Sequence, residues 1–221
     1  MKKQLVIFGA GEIAQLAHFY FSKDSKYEVV AFTVDAKYIE EASFCGLPVI
    51  PFEEIEQTYS PSQYEFFVAL SYSKLNAIRK EKYFAVKKKG YRLANYISPY
   101  ATVLNDNCFG ENCFVLEDNT IQPFVTIGNN VTLWSGNHIG HHSNIKDHCF
   151  IASHVVLSGG VEVGEQCFIG VNATLRDHII VGDRCVIGAG VLLLKNADPD
   201  SLYIGSATNR AARSSSDLKK I

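Results

Sequence analysis

From Ile97 onward, apolar residues recur with a period of six. Ile97, Val103, Phe109, Val115, Ile121, Ile127, Leu133, Ile139, Ile145, Ile151, Leu157, Val163, Ile169, Leu175, Val181, Ile187 and Leu193 hold one phase without a break. Four places on there is usually a small or β-branched residue, such as Ala101, Cys113, Val125, Ser143, Cys149, Val161, Cys167, Ala173 or Cys185. Glycine often follows the aliphatic, at Gly128, Gly140, Gly164, Gly170, Gly182 and Gly188. A fixed period held this long marks stacked repeats, each too small to bury its apolar face alone. Large inward side chains alternate with small ones, and glycine is expected to give the corners their backbone freedom. Cys113, Cys149, Cys167 and Cys185 are then buried small hydrophobes.

Residues 1–96 follow another pattern. Gln4 to Phe8 reads as a short strand, Ile13 to Phe21 as a helix, and Tyr27 to Val34 as a second strand ending at Asp35. Glu65 to Leu70 reads as a further strand and Ser73 to Lys89 as a charged amphipathic helix. Strand and helix alternate, so this part is a small parallel α/β unit, Rossmann-like in kind. Between its first strand and helix lies Gly9-Ala10-Gly11-Glu12-Ile13-Ala14, a G-x-G-x-x-A turn. Such a turn lets phosphate oxygens approach backbone N–H groups at a helix N-terminus, and an acid at the next strand tip, here Asp35, reads a ribose or base. Without a ligand it is simply a tight turn. The unit is about half the size of a full dinucleotide fold, so a nucleotide sugar is expected rather than NAD.

Composition narrows the function classes. A chain of 221 residues holds one ordinary domain and a smaller one. The net charge of −2 gives no polyanion-binding surface, so no nucleic-acid partner is expected. The apolar run Leu5 to Phe8 is too short for a signal core, and no stretch approaches the ~20 apolar residues of a membrane span. A soluble cytoplasmic protein without a membrane partner is the expectation. The six cysteines include no C-x-x-C pair, which argues against a disulfide framework or a zinc site.

The repeat resembles the left-handed parallel β-helix of the hexapeptide acyltransferases. The resemblance implies triangular coils of three hexads, with residues eighteen apart stacked at the sheet spacing of ~4.8 Å. It divides the chain into a nucleotide-sugar-binding unit (1–96), a β-helix acyltransferase domain (97–200) and a C-terminal cap and tail (201–221). A small Rossmann-like unit before such a helix resembles, more narrowly, the bacterial sugar acetyltransferases that act on nucleotide-linked amino sugars or sialic acid. In that group the first unit holds the nucleotide, and acetyl-CoA lies between subunits of a homotrimer. By motif, Gly9, Gly11, Glu12, Ile13, Ala14 and Asp35 match the nucleotide-binding positions, with Ser71 and Tyr72 as further substrate candidates.

The group's general base is a histidine shortly after an inward aliphatic, normally followed by Glu or Asp. Here the stretch reads Asn137-His138-Ile139-Gly140-His141-His142-Ser143, which puts His141 at the catalytic position and His142 where the acid belongs. An imidazole suits the task, because the attacking amine must lose a proton near neutral pH. The group that orients the base is then expected elsewhere, at Asn137, Asp118, Asp147 or a backbone carbonyl. The alternative reverses the roles, with His142 as base and His141 binding substrate. Eighteen residues on stand Gly159 and Gly160, expected to leave an open surface for the pantetheine arm. The resemblance gives Gly159 a further role, as the N–H that donates to the thioester oxygen. Gly170, Gly188, Ala189, Gly190 and Arg210 are the other CoA-binding candidates, with Arg213 beside them. The bland reading of these arginines is a solvated basic tail, and Ser214 to Ile221 are read as frayed. His138, His148, His154 and His178 complete the histidines of the repeat. A metal is not expected, since His138 and His141 flank a turn and no carboxylate or thiolate joins them. His148 and His154 are read as solvent-facing.

The function expected is acetyl-CoA-dependent N-acetylation of a nucleotide-linked 4-amino-4,6-dideoxy sugar, for a surface polysaccharide such as the O-antigen of lipopolysaccharide. O-acetylation of a sugar or sialic acid is the first alternative. A non-catalytic trimeric nucleotide-binding scaffold is the second.

Overall fold

The computed structural model describes residues 2–105, 108–212 and 214–217. Its first part is built from β1 (Lys3–Phe8), α1 (Glu12–Asp24), β2 (Tyr27–Val34), β3 (Ser43–Phe44), β4 (Leu47–Pro51), α2 (Ile55–Thr58), β5 (Tyr64–Val68), α3 (Ala77–Lys88) and β6 (Arg92–Leu93). These strands form one sheet in the order β3-β4-β2-β1-β5-β6, parallel except for the β3–β4 hairpin. Leu5, Val6, Ile7 and Phe8 are all buried, as befits a parallel strand covered on both faces. α1 covers one face with Ala14, Ala17 and Phe21, spaced three and four apart.

From Tyr96 the chain winds as a left-handed β-helix of two-residue strands. Each strand pairs with the one eighteen residues on, as Thr120 does with His138 and His138 with Val156. Three sheets result, of seven, six and four strands. We call them face I (with Phe114–Val115 and Phe150–Ile151), face II (with His138–Ile139) and face III (with Asn144–Ile145), in the order the chain visits them. The inward aliphatics from Val115 to Leu193 are buried, and the four cysteines lie among them fully covered. The ladder ends with Val186 pairing to Leu202, only sixteen residues away, so the last coil is two residues short.

The glycines after the aliphatics have a different reason from the one expected. None of the six has a positive φ. They are glycines because the next coil leaves no room: a Cβ on Gly140 would lie 2.5 Å from the carbonyl carbon of Ser158. The left-handed corner falls two residues later, at Asn130, His142, His148, His154, Asn172 and His178 among others, where asparagine and histidine are tolerated best.

The first part docks on face I and on the vertex between faces III and I, and this contact overrides local propensity. The helix expected from Ser73 begins at Ala77, because Lys74, Leu75 and Asn76 form a left-handed turn with φ of 50°, 51° and 63°. Lys74 and Leu75 each cost about 1–2 kcal/mol there, and Asn76 less. The β-helix holds the turn in place: Asn76 Nδ2 donates to Cys167 O (3.1 Å) and Gln166 Nε2 to Leu75 O (2.9 Å). Arg79, fully buried, donates to Asn76 Oδ1 (3.0 Å) and to the carbonyls of Asn130, His148 (3.2 Å) and Cys149 (3.1 Å). No carboxylate contacts it among the described residues, and desolvation pulls its pKa down to about 10. His148, expected at the surface, is 1% exposed. It closes a polar ladder in which Asn112 bridges the N–H and C=O of Val68 and donates to Asn130 Oδ1 (2.8 Å), and Asn130 donates to His148 Nδ1 (3.0 Å). The ladder lies under α3, whose Tyr83 and Phe84 rings pack on His148. Desolvation holds its imidazole at about 4. Among the described residues, no helix is long and apolar enough to cross a membrane.

Candidate active site

Gly9 has φ +131°, and a Cβ on it would sit 2.6 Å from Ala69 O. The turn after β1 therefore requires glycine for close approach. Gly11 differs: its φ is −115° and nothing lies within 4 Å of where a Cβ would be. It caps α1, whose first N–H groups have no partner within the helix. Gly11, Glu12 and Ile13 line a cavity of about 240 Å³ with Ala69, Leu70 and Ser71. Ala14 is buried, and its Cβ packs under the turn, 3.2 Å from where a Cβ on Gly9 would be.

Leu70 also lines a second cavity of about 500 Å³, which extends past Gly9 and Ala10 to Asp35, Tyr38, Phe44 and Lys82. Here Asp35 is not a free acceptor, because Lys82 Nζ lies 2.8 Å from its carboxylate. Lys82 was missed from sequence. Its register was legible, since Arg79, Tyr83 and Val86 form the buried face of α3 and Lys82 adjoins it. Tyr72 turns to face I, with its ring 5.0 Å from Phe150 and 4.8 Å from Phe168.

His141 and His142 occupy the vertex between faces II and III, which lies opposite face I. His142, His148, His154 and His178 all take the left-handed corner position, so the backbone alone accounts for their residue type. His141, one place earlier, has no such explanation. Its backbone N–H donates to Gln122 Oε1 (2.8 Å) and its carbonyl accepts from Gly160 N (2.7 Å). Its Nδ1 lies 3.0 Å from His142 Nδ1, with the rings at 87°. The Cε1–Nε2 edge covers Gly159, where a Cβ would come within 2.6 Å of both atoms. No acceptor for the Gly159 N–H is found among the described residues.

Two expectations change here. The surface beside the base is not open, because His141 itself fills the space over Gly159 and the His178 ring lies over Gly160. Corner side chains lean on the preceding coil, which sends His142 onto Phe124 at 4.6 Å between ring centres. The expected orienting groups are also engaged elsewhere. Asn137 bonds Trp134 O and Val155 N, Asp147 accepts from Asn129, and Asp118 stands at the vertex between faces I and II. The group that meets His141 Nδ1 is His142.

Of the remaining candidates, Gly170 is buried, 2.6 Å from Ala189 N to its would-be Cβ. Gly188, Ala189 and Gly190 run from face I to the vertex between faces I and II, so one chain does not bring them together with Gly159 and Gly160. Arg210 is exposed, and Arg213 and residues 218–221 lie outside the described residues. Exposed Arg176 and Lys195, missed from sequence, stand at the vertex of His141 in later coils. Counting in eighteens from His141 reaches Lys195, and counting from Gly140 reaches Arg176. Among the described residues no group of three or more His, Cys, Asp or Glu is arranged to hold a metal ion.

Comparison with known proteins agrees with this architecture. Residues 124–159 and 160–195 match the family "Bacterial transferase hexapeptide (six repeats)". The acetyltransferase domain of PglB from Neisseria gonorrhoeae superposes with a TM-score of 0.81 at 24% identity, over 92% of this chain and 97% of that one. PerB from Caulobacter crescentus, solved in complex with CoA and GDP-perosamine, gives 0.79 at 24% identity, over 91% and 94%. WeeI from Acinetobacter baumannii gives 0.65 at 16% identity, over 92% and 97%. The chain thus carries the bacterial transferase hexapeptide repeat through residues 124–195 and shares its whole two-part fold with acetyltransferases of known structure.

Proposed function

We propose that this protein transfers the acetyl group of acetyl-CoA to the amino group of a nucleotide-linked amino sugar, of the 4-amino-4,6-dideoxyhexose type. The observation that carries the reading is His141, the one histidine of its vertex that the corner geometry does not explain, with Nε2 laid over Gly159. The nucleotide would occupy the larger cavity, its base near Asp35 and Lys82, and its phosphates would meet the N-terminus of α1 in the smaller one. PerB, of like fold, was solved with CoA and a GDP-linked sugar, which supports the same pair of substrates here.

His141 Nε2 takes the proton of the neutral amine as it attacks the thioester carbonyl. The Gly159 N–H donates to the carbonyl oxygen as negative charge develops there. Collapse expels the CoA thiolate, which takes the proton back from the imidazolium and leaves as the thiol. Arg176 and Lys195 share the vertex and offer charge to the CoA phosphates.

The working unit is a homotrimer in this reading. Ser71 ends the phosphate cavity beside Tyr72 on face I, whereas His141 stands at the opposite vertex of the prism. The sugar held by one protomer therefore meets the histidine of another.

Thiol release from acetyl-CoA with dTDP-, UDP- and GDP-linked 4-amino sugars tests the proposal. Turnover should depend on the amine, and His141→Ala should lower kcat by about 10²–10⁴-fold with the oligomer intact. Release of CoA with hydroxyl acceptors alone would establish the O-acetyl alternative. No turnover with any acceptor, and no thermal shift with CoA, would leave a binding scaffold.

A further inference from the structure

On the acetyl-transfer reading, the His141–His142 contact has a consequence of its own. Two imidazole Nδ1 atoms 3.0 Å apart must be one donor and one acceptor. If His142 donates, His141 carries its proton on Nε2 and cannot act there as a base. If His141 donates, its Nε2 lone pair is bare over Gly159, and the bond survives when Nε2 gains a proton. Only this second arrangement persists through the reaction. His142 is held for it, its ring tilted at 38° against Phe124 with 4.6 Å between centres, and its backbone N–H donates to Pro123 O.

We infer that His142 is a positioning residue, a neutral acceptor that fixes the Nδ1–H tautomer of His141 where an acid would otherwise stand. A carboxylate in that place would orient the ring and also stabilise the imidazolium. A neutral imidazole orients without adding charge. The groups that touch the two rings are Gln122 and Phe124 from the preceding coil and Gly159 from the next; His178 covers Gly160, and Arg176, Asp177 and Lys195 stand at the same vertex in later coils. Among the described residues no carboxylate, lysine or arginine has a hydrogen bond or ion pair with either ring. The chain then works as a base-plus-imidazole pair, suited to activity further to the acid side.

Three variants at the left-handed corner test this, each keeping a residue type that tolerates its φ of 60°. His142→Gly removes the acceptor, and kcat should fall at least about tenfold with the KM for acetyl-CoA held. His142→Asn restores a neutral acceptor and should recover most of that loss with the wild-type pH profile. His142→Asp should keep the rate at high pH and move the acid limb of kcat up by about one pH unit or more. A second readout needs no activity. In protein carrying 15N-labelled histidine, the ring shifts of His141 should report a proton on Nδ1 in wild type and mixed tautomers in His142→Gly. An unchanged tautomer in His142→Gly, or an unmoved acid limb in His142→Asp, would overturn the inference. If no acceptor is turned over but the tautomer responds as stated, the acetyl-transfer reading fails and the positioning role stands.

Discussion

A Cβ on Gly159 would meet the far end of an exposed side chain, the Cε1–Nε2 edge of His141. Gly159→Ala should therefore displace the imidazole and leave the coil intact, with a loss of kcat approaching that of His141→Ala and no change in thermal midpoint. His148 gives the opposite kind of prediction, one of stability. The unfolded chain takes up its proton below about pH 6.5, whereas the folded chain resists until about 4. Stability then falls with acidification through that window, by up to about 1.4 kcal/mol per pH unit. His148→Asn keeps the corner conformation and should flatten that part of the urea-midpoint profile. At this scale a residue's place was legible where it follows from its own chemistry and repeat position, as it does for the buried cysteines. The place of His148 was not, because its burial depends on α3 and not on its own repeat. Lys82 was also missed, because a lysine on a charged helix carries no mark of the carboxylate it will meet.

The left-handed turn before α3 stores a conformational cost that the β-helix offsets through Asn76 and Arg79. Lys74→Gly should be neutral or stabilising by about 1 kcal/mol, because glycine adopts that conformation without penalty. Asn76→Ala should destabilise by about 1–3 kcal/mol, since it removes the side-chain bonds to Cys167 O and from Arg79 Nη2 and puts alanine at a φ of 63°. Denaturant midpoints of the two variants check the contrast. Nothing in the local sequence warns of such a turn: Ser73, Lys74, Leu75 and Asn76 continue an amphipathic pattern, and tertiary contact wins. In the β-helix local and global signals agree, so its strands fall where the six-residue period puts them. The glycines there were found for the wrong reason, as a clash with the next coil is invisible until coils are stacked.

At the scale of the whole molecule, the two parts are joined by a buried cation that meets no carboxylate among the described residues. Arg79 directs its donors to carbonyls of the β-helix and to Asn76. Arg79→Met leaves the carbonyls of Asn130 and His148 without their donor and should uncouple the parts, so that heating resolves two transitions in place of one. The six-residue phase revealed the β-helix and the placement of His141, but not how the two parts meet, since that contact rests on asparagines and one arginine of ordinary appearance.

The eighteen-residue register also governs how this chain can change length. Adding or removing one residue inside a coil would turn every later side chain off its face, moving aliphatics to solvent and breaking the column that runs through His141 and Gly159. Growth and loss are therefore tolerated in whole coils, or at bulging corners that leave the phase untouched. The coil closed by Val186 and Leu202 is short by two residues, and it is the last among the described residues. A frame error there displaces no later coil among the described residues. Lineages of such proteins should thus differ in size by discrete steps, with irregular lengths gathered at the final turn.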